Sequence, residues 1–205
     1  VYTRITEEDV STLKGLDDFS RVGEYYMLAV EPAEQGYNAS YIYCDEETMY
    51  IARDQMKLLE GRLPQKEDEV VVSRYFLSNY GADAGIGEKV MLSSESFHGE
   101  YTVTGILEGY KEKEVNGTSI LLSKEALKGW SGYDPADYRA YVHFKNEQQM
   151  DETELTARSR EIAKKYQLEM PVMNLSYMKF YKQPVNVSML ALVAGIAVLV
   201  IIGGY

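Results

Sequence analysis

The chain has 205 residues and a mass of 23.3 kDa, with 45% apolar and 26% charged positions, enough to close one sizeable hydrophobic core or two small ones, which excludes wholesale disorder. Thirty-two acidic against 21 basic side chains leave a formal charge of −11, so most of the surface repels phosphate backbones, which argues against a nucleic-acid partner. The single cysteine, Cys44, and the two histidines, His98 and His143, permit no internal disulfide and offer no Cys/His spacing for a zinc site.

Thr6-Glu7-Glu8-Asp9 sets a capping hydroxyl three residues before a carboxylate, which predicts a helix over about 7–14 with Val10 and Leu13 on one face and Gly15 as its stop. Tyr25 to Val30 predicts a strand ending at Pro32. Tyr41 to Cys44 predicts another after the turn-prone Gly36-Tyr37-Asn38.

From about residue 53 to 131 the texture changes. Glu69 to Ser73, Lys89 to Leu92, Tyr101 to Leu107 and Thr118 to Leu122 are short β-branched runs separated by Gly, Asn, Ser and charged turns. Their spacing predicts an inserted, sandwich-like or barrel-like β-rich subdomain, with short helices near Ser73 to Tyr80 and Lys124 to Leu127.

Tyr138 to Phe144 alternates like a strand. After it, Met150, Leu155, Ile162, Ala163 and Tyr166 share a helical face, with Asp151, Glu152 and Glu154 early and Lys164 and Lys165 late, an order that suits the helix dipole. An extended segment follows around Pro171 to Leu175. The first and last thirds thus share one grammar. They are expected to form residues 1–52 and 132–183 of a single discontinuous α+β unit, with Tyr25 to Val30 in the same sheet as Tyr138 to Phe144 and residues 53–131 inserted between.

No charged residue follows Gln183. The apolar run from Val187 to Tyr205, at 1.5 Å per helical residue, covers roughly 28 Å, about the hydrocarbon thickness of a bilayer. Residues 184–205 therefore predict the start of a transmembrane helix, through Val187, Leu190, Val193, Ile196 and Val200, in a segment of a longer membrane protein.

The 18 tyrosines suit half-buried strand faces, where the ring packs and the hydroxyl stays wet. The acidic clusters Glu7-Glu8-Asp9, Asp45-Glu46-Glu47, Glu67-Asp68-Glu69 and Asp151-Glu152-x-Glu154 lack the alternating pattern of a calcium loop and read as solvated turns and helix starts. Gly85-Ile86-Gly87-Glu88-Lys89-Val90 lacks the hydroxyl residue of a phosphate loop and runs into a strand. Neither histidine lies near a nucleophile elbow; His98 reads as a solvated turn residue and His143 as a strand residue. No catalytic, cofactor-binding or metal-ligating residue is expected.

Leu59-Glu60-Gly61-Arg62-Leu63-Pro64, then Glu69-Val70-Val71-Val72-Ser73, then Gly85-Ile86-Gly87-Glu88-Lys89-Val90, then Tyr101-Thr102-Val103-Thr104-Gly105-Ile106 form an ordered set. The set resembles the extracytoplasmic core domain of MacB/FtsX-like ABC-transporter permeases, and Ile201-Ile202-Gly203-Gly204-Tyr205 is similar to the second membrane helix of Gram-positive members. Its scaffold positions are Gly61, Arg62, Pro64, Gly85, Gly87 and Gly105. Gly61 permits a turn, Pro64 fixes the next bend, and the acidic turn before Val70 is expected to stay solvated.

The resemblance implies a domain on the extracellular side of the cell membrane, between the first and second membrane helices, with ATP hydrolysed by a separate cytoplasmic ATP-binding subunit. It implies no enzymatic activity here, no cofactor, and an extracellular substrate or partner protein that the residues do not specify. The domain would couple ATP-driven motion to that substrate. A ligand-sensing receptor ectodomain, as in a sensor kinase, is the alternative, and a surface protein with one C-terminal anchor is a third.

Overall fold

The computed structural model describes residues 1–34, 36–53, 56–80, 84–109 and 117–172. In chain order the elements are β1 (Tyr2–Ile5), α1 (Glu7–Lys14), β2 (Phe19–Pro32), β3 (Asn38–Cys44), α2 (Glu46–Ile51), β4 (Met56–Gly61) and β5 (Glu69–Ser73). They continue as α3 (Arg74–Asn79), β6 (Lys89–Ser93), β7 (His98–Gly109), β8 (Gly117–Leu122), α4 (Lys124–Gly129), β9 (Tyr138–Phe144), a 3-10 turn (Glu147–Gln149) and α5 (Glu152–Lys165).

Each α-helix among the described residues starts on a side chain that satisfies an orphan amide. Thr6 and Asp9 form a reciprocal capping box on α1. Asp45 accepts from Thr48 N, Ser73 from Phe76 N, Ser123 from Ala126 N and Asp151 from Glu154 N, all at 2.8–3.0 Å. The acidic clusters at residues 7, 45 and 151 are therefore helix starts.

The nine described strands form one mixed sheet in the order β1-β9-β2-β3-β8-β5-β7-β4, with β6 also on β7. β2 pairs antiparallel with β9, Phe19 opposite Phe144 and Tyr25 opposite Arg139, so the expected long-range pairing is present. β3 runs parallel to β8, and β5 runs parallel to β7 but antiparallel to β8. The strands of residues 56–122 thus extend the sheet that the chain ends begin.

Both faces of the sheet are covered at its centre. Val70, Val72, Ile120 and Leu122 point into a large core shared with Val10 and Leu13 of α1, Phe76 of α3, Leu127 of α4 and Leu155 and Ile162 of α5. Val71, Leu121, Ile42 and Leu107 point into a smaller one with Met49 of α2. Every residue of β5 is buried, which is why Val70-Val71-Val72 reads as a continuous apolar run rather than an alternating one.

β2 begins at Phe19, six residues before the expected strand. Gly23 interrupts the pattern, yet the space beside it holds the start of α2: a Cβ there would sit 2.4 Å from Thr48 N. Several tyrosines also go deeper than half-buried strand faces require. Tyr2, Tyr26, Tyr41 and Tyr138 lie fully inside, and internal partners replace water. Tyr2 donates to Ser159 O at 3.1 Å, Tyr26 accepts from Asp134 N at 2.9 Å, and Tyr41 accepts from Ser94 Oγ at 2.8 Å.

No helix among the described residues is long and apolar enough to cross a membrane. The expected span through Val187, Leu190, Val193, Ile196 and Val200 lies outside the described residues, as does the segment from Met173 to Leu175.

Candidate functional site

Gly61, Arg62, Gly105 and the turn holding Gly85 and Gly87 come together at one corner of the sheet. Gly61 ends β4 at φ +79, and a Cβ on it would lie 2.2 Å from Thr104 O, 2.8 Å from Gly105 Cα and 3.0 Å from Ile86 Cδ1. Gly105 is as confined, since its Cβ would meet Arg62 O at 2.8 Å. The β4 exit and β7 therefore touch backbone to backbone, and only glycine at both positions allows it. Arg62 N donates to Thr104 O at 2.9 Å, and Thr104 Oγ1 donates towards Val70 O at 3.2 Å.

Pro64 lies in the connection from β4 to β5. The turn at 85–88 is closed by Glu88 N on Gly85 O at 3.1 Å, with Gly87 at φ +88. Gly87 N donates to Val103 O and Val103 N to Glu88 O, each at 2.8 Å, which sews the turn to β7. Lys89 then opens β6 and pairs with Glu100 at 3.0 Å.

The acidic turn before Val70 is not uniformly solvated. Glu67 and Asp68 are exposed, but Glu69 is buried and receives both arms of Arg62 at 2.7 and 2.8 Å. Its carboxylate also accepts from Gln65 N at 2.8 Å. The bidentate Arg62 fork, helped by the backbone amides, lowers the Glu69 pKa from 4.5 to about 2 against the effect of burial.

A second buried carboxylate ties α1, β2 and α4 together. Glu24, 7% exposed at its side chain, meets Lys124 Nζ at 2.5 Å and Lys14 Nζ at 3.6 Å. Lys124 also meets Glu7 at 2.7 Å, Lys128 meets Glu7 at 2.9 Å, and Lys14 meets Asp45 at 3.0 Å. Neither Glu24 nor Lys124 carries a sequence signal, because each partner stands on a different element.

At the foot of the domain the two ends of the described fold pair directly. Val1 N donates to Val172 O at 2.7 Å, and Val172 N donates to Val1 O at 2.8 Å. Met170 and Val172 are 61% and 59% exposed beside this bridge.

The histidines stand apart from each other. His98 is exposed at the start of β7. His143 is half-buried in β9, its Nδ1 3.8 Å from Glu147 Oε1, and burial moves its pKa below the ordinary imidazole value. Cys44 is buried on β3, and burial pushes its thiol pKa up. Among the described residues no group of three or more His, Cys, Asp or Glu is placed to hold a metal ion.

The mixed sheet with its covering helices matches the α+β fold of extracytoplasmic domains of ABC-type transporters. The extracellular domain of the noncanonic ABC-type transporter YknZ from Gram-positive bacteria superposes with a TM-score of 0.57 at 18% identity, over 83% of this chain and 89% of that one. The periplasmic region of MacB from Actinobacillus actinomycetemcomitans does so with a TM-score of 0.53 at 14% identity, over 85% and 81%. No family model and no curated protein matches the chain.

Proposed function

We propose that the chain is the extracellular domain of an ABC-transporter permease subunit, and that it couples ATP-driven motion in the cytoplasm to the handling of an extracellular substrate. The observation that carries this reading is the likeness of the fold to extracytoplasmic domains of ABC-type transporters, and the mutual hydrogen bonding of Val1 and Val172 sets the two ends of the described fold side by side. In a permease of this kind, a displacement between the membrane helices that carry the domain would reach the sheet at these neighbouring ends, through β1 and the segment after α5.

In this reading the energy comes from a cytoplasmic ATP-binding subunit, and the chain itself has no turnover. The intact protein should co-purify with that subunit and alter its ATPase rate. A probe on the domain, such as Ser131→Cys in the exposed α4–β9 connection, should react with a membrane-impermeant thiol reagent on whole cells; the buried Cys44 keeps this chain's background low. Co-purification with a kinase module in place of an ATPase would replace the transporter reading by the sensor one. ATP hydrolysis by the purified chain, abolished by Lys89→Ala, would contradict the absence of turnover.

A further inference from the structure

An open cleft of about 460 Å³ lies between the start of β2, the end of β9, α2 and the 3-10 turn, and Ser20, Arg21, Tyr50, Arg53, His143 and Glu147 stand in its wall. Glu47 pairs with Arg21 at its edge at 2.7 Å, and among the described residues the wall itself carries two guanidiniums and one carboxylate. That carboxylate is engaged inward, since Glu147 Oε2 accepts from Phe144 N at 3.0 Å and Oε1 faces His143.

The cations are held by an aromatic ring. The Arg21 guanidinium carbon lies 3.8 Å from the centroid of Tyr50, and that of Arg53 lies 5.5 Å from the same centroid. Arg21 gives one Nη1–H to Glu47 at 2.7 Å, just outside the cleft. A guanidinium carries five N–H donors in a planar fork, so this one contact leaves Arg21 with donors for another acceptor. Gln148 and Gln149 add uncharged amide donors to the wall.

We propose that this cleft binds an oxyanion, a carboxylate or phosphate group on a small ligand, held by Arg21 and Arg53 with the side-chain amides of Gln148 and Gln149 around it. The site is separate from the β4–β7 corner and from the Val1–Val172 bridge, and it does not depend on the transport reading. Both guanidiniums match an oxyanion's planar or tetrahedral oxygens, and both lie against the Tyr50 ring.

The test uses the whole 205-residue chain in detergent, with inorganic phosphate and citrate as probes at matched ionic strength and chloride as the control. Binding is followed by calorimetry and by the proton NMR of the two imidazoles, which His98→Asn assigns. Saturable binding is expected, with the His143 pKa rising as the anion brings negative charge beside it while His98 stays unmoved. Arg53→Gln, at an exposed position, should weaken binding about tenfold with the fold intact, and Arg21→Gln should do the same. A preference for phosphate assigns a phosphoryl ligand, and one for citrate a carboxylate; either supports the site. No saturable response to either probe up to about 50 mM, weaker than any useful extracellular affinity, or undiminished binding in both variants, overturns it.

Discussion

At the β4–β5–β7 corner the buried carboxylate of Glu69 meets Arg62 only seven residues away, whereas at the α1–β2–α4 junction the buried carboxylate of Glu24 meets Lys124 across 100 positions. The first pair is a bidentate fork within one connection, set beside glycines that let two backbones touch. The second is a point charge reaching across three elements, shared with Glu7 and backed by Lys14. Local covalent geometry thus fixes one corner, and long-range electrostatics fixes the other. The first should respond most to backbone changes, the second to loss of a partner.

The largest effect is expected from Gly61→Ala. The new methyl would have to displace Thr104 O from 2.2 Å while holding φ at +79, which should cost about 3 kcal/mol in chemical denaturation. Gly87→Ala sharpens the point. Its φ is as unfavourable at +88, but nothing lies within 4 Å, so only the left-handed penalty of about 1 kcal/mol should appear. Equal losses at both positions would show that close backbone approach is not what holds this corner.

At the other junction, Lys124→Met removes the nearest partner of a buried carboxylate and should cost about 2 kcal/mol, less than a fully buried pair because Lys124 is 32% exposed. Adding Glu24→Gln should recover part of that loss in a double-mutant cycle, since the charge left without its partner is then gone. A double variant as unstable as the sum of the single ones would mean that Glu24 and Lys124 act independently.

The Glu69 pair makes a pH-dependent contribution. A carboxyl lowered from 4.5 to about 2 in the folded state stabilises the fold fully above pH 4.5, and that stability is lost as pH falls from there towards 2. Glu69→Gln should therefore lower the denaturation midpoint at pH 7 and shrink its fall between pH 5 and pH 2.5. An unchanged acid limb in the variant would assign the acid sensitivity to other carboxylates. Asp151→Ala, which removes the α5 cap, should cost about 1 kcal/mol, as little as Gly87→Ala.

The sequence made local features readable for a physical reason. The Thr6 to Asp9 capping box lies within one turn, and the all-apolar β5 run carries its own burial on both faces, so both could be seen without tertiary context. Gly61 and Gly105 were visible as part of a motif, but the contact that requires them belongs to the fold. β1 is four residues long with Arg4 at φ +51, and α2 and β4, six residues each, have neither the all-apolar run of β5 nor an alternation that marks them out. Gly23 hid the first half of β2, because a residue chosen for the approach of α2 looks like a strand breaker. Glu24, Lys124 and the Arg21–Arg53 cleft were not readable at all: each is assembled from elements that meet only in the folded chain.

If motion enters the domain through its paired ends, lengthening the connection at one of them should uncouple it. A flexible glycine-serine linker of roughly ten residues, inserted after Gln183 in the intact protein, adds a random-coil reach of about 17 Å without touching the described fold. Substrate handling per ATP hydrolysed would then be measured at equal surface abundance. The coupling account predicts retained folding and membrane insertion with output lost from the ATPase cycle. Full output with the linker in place would contradict it and leave a domain that binds but does not transmit.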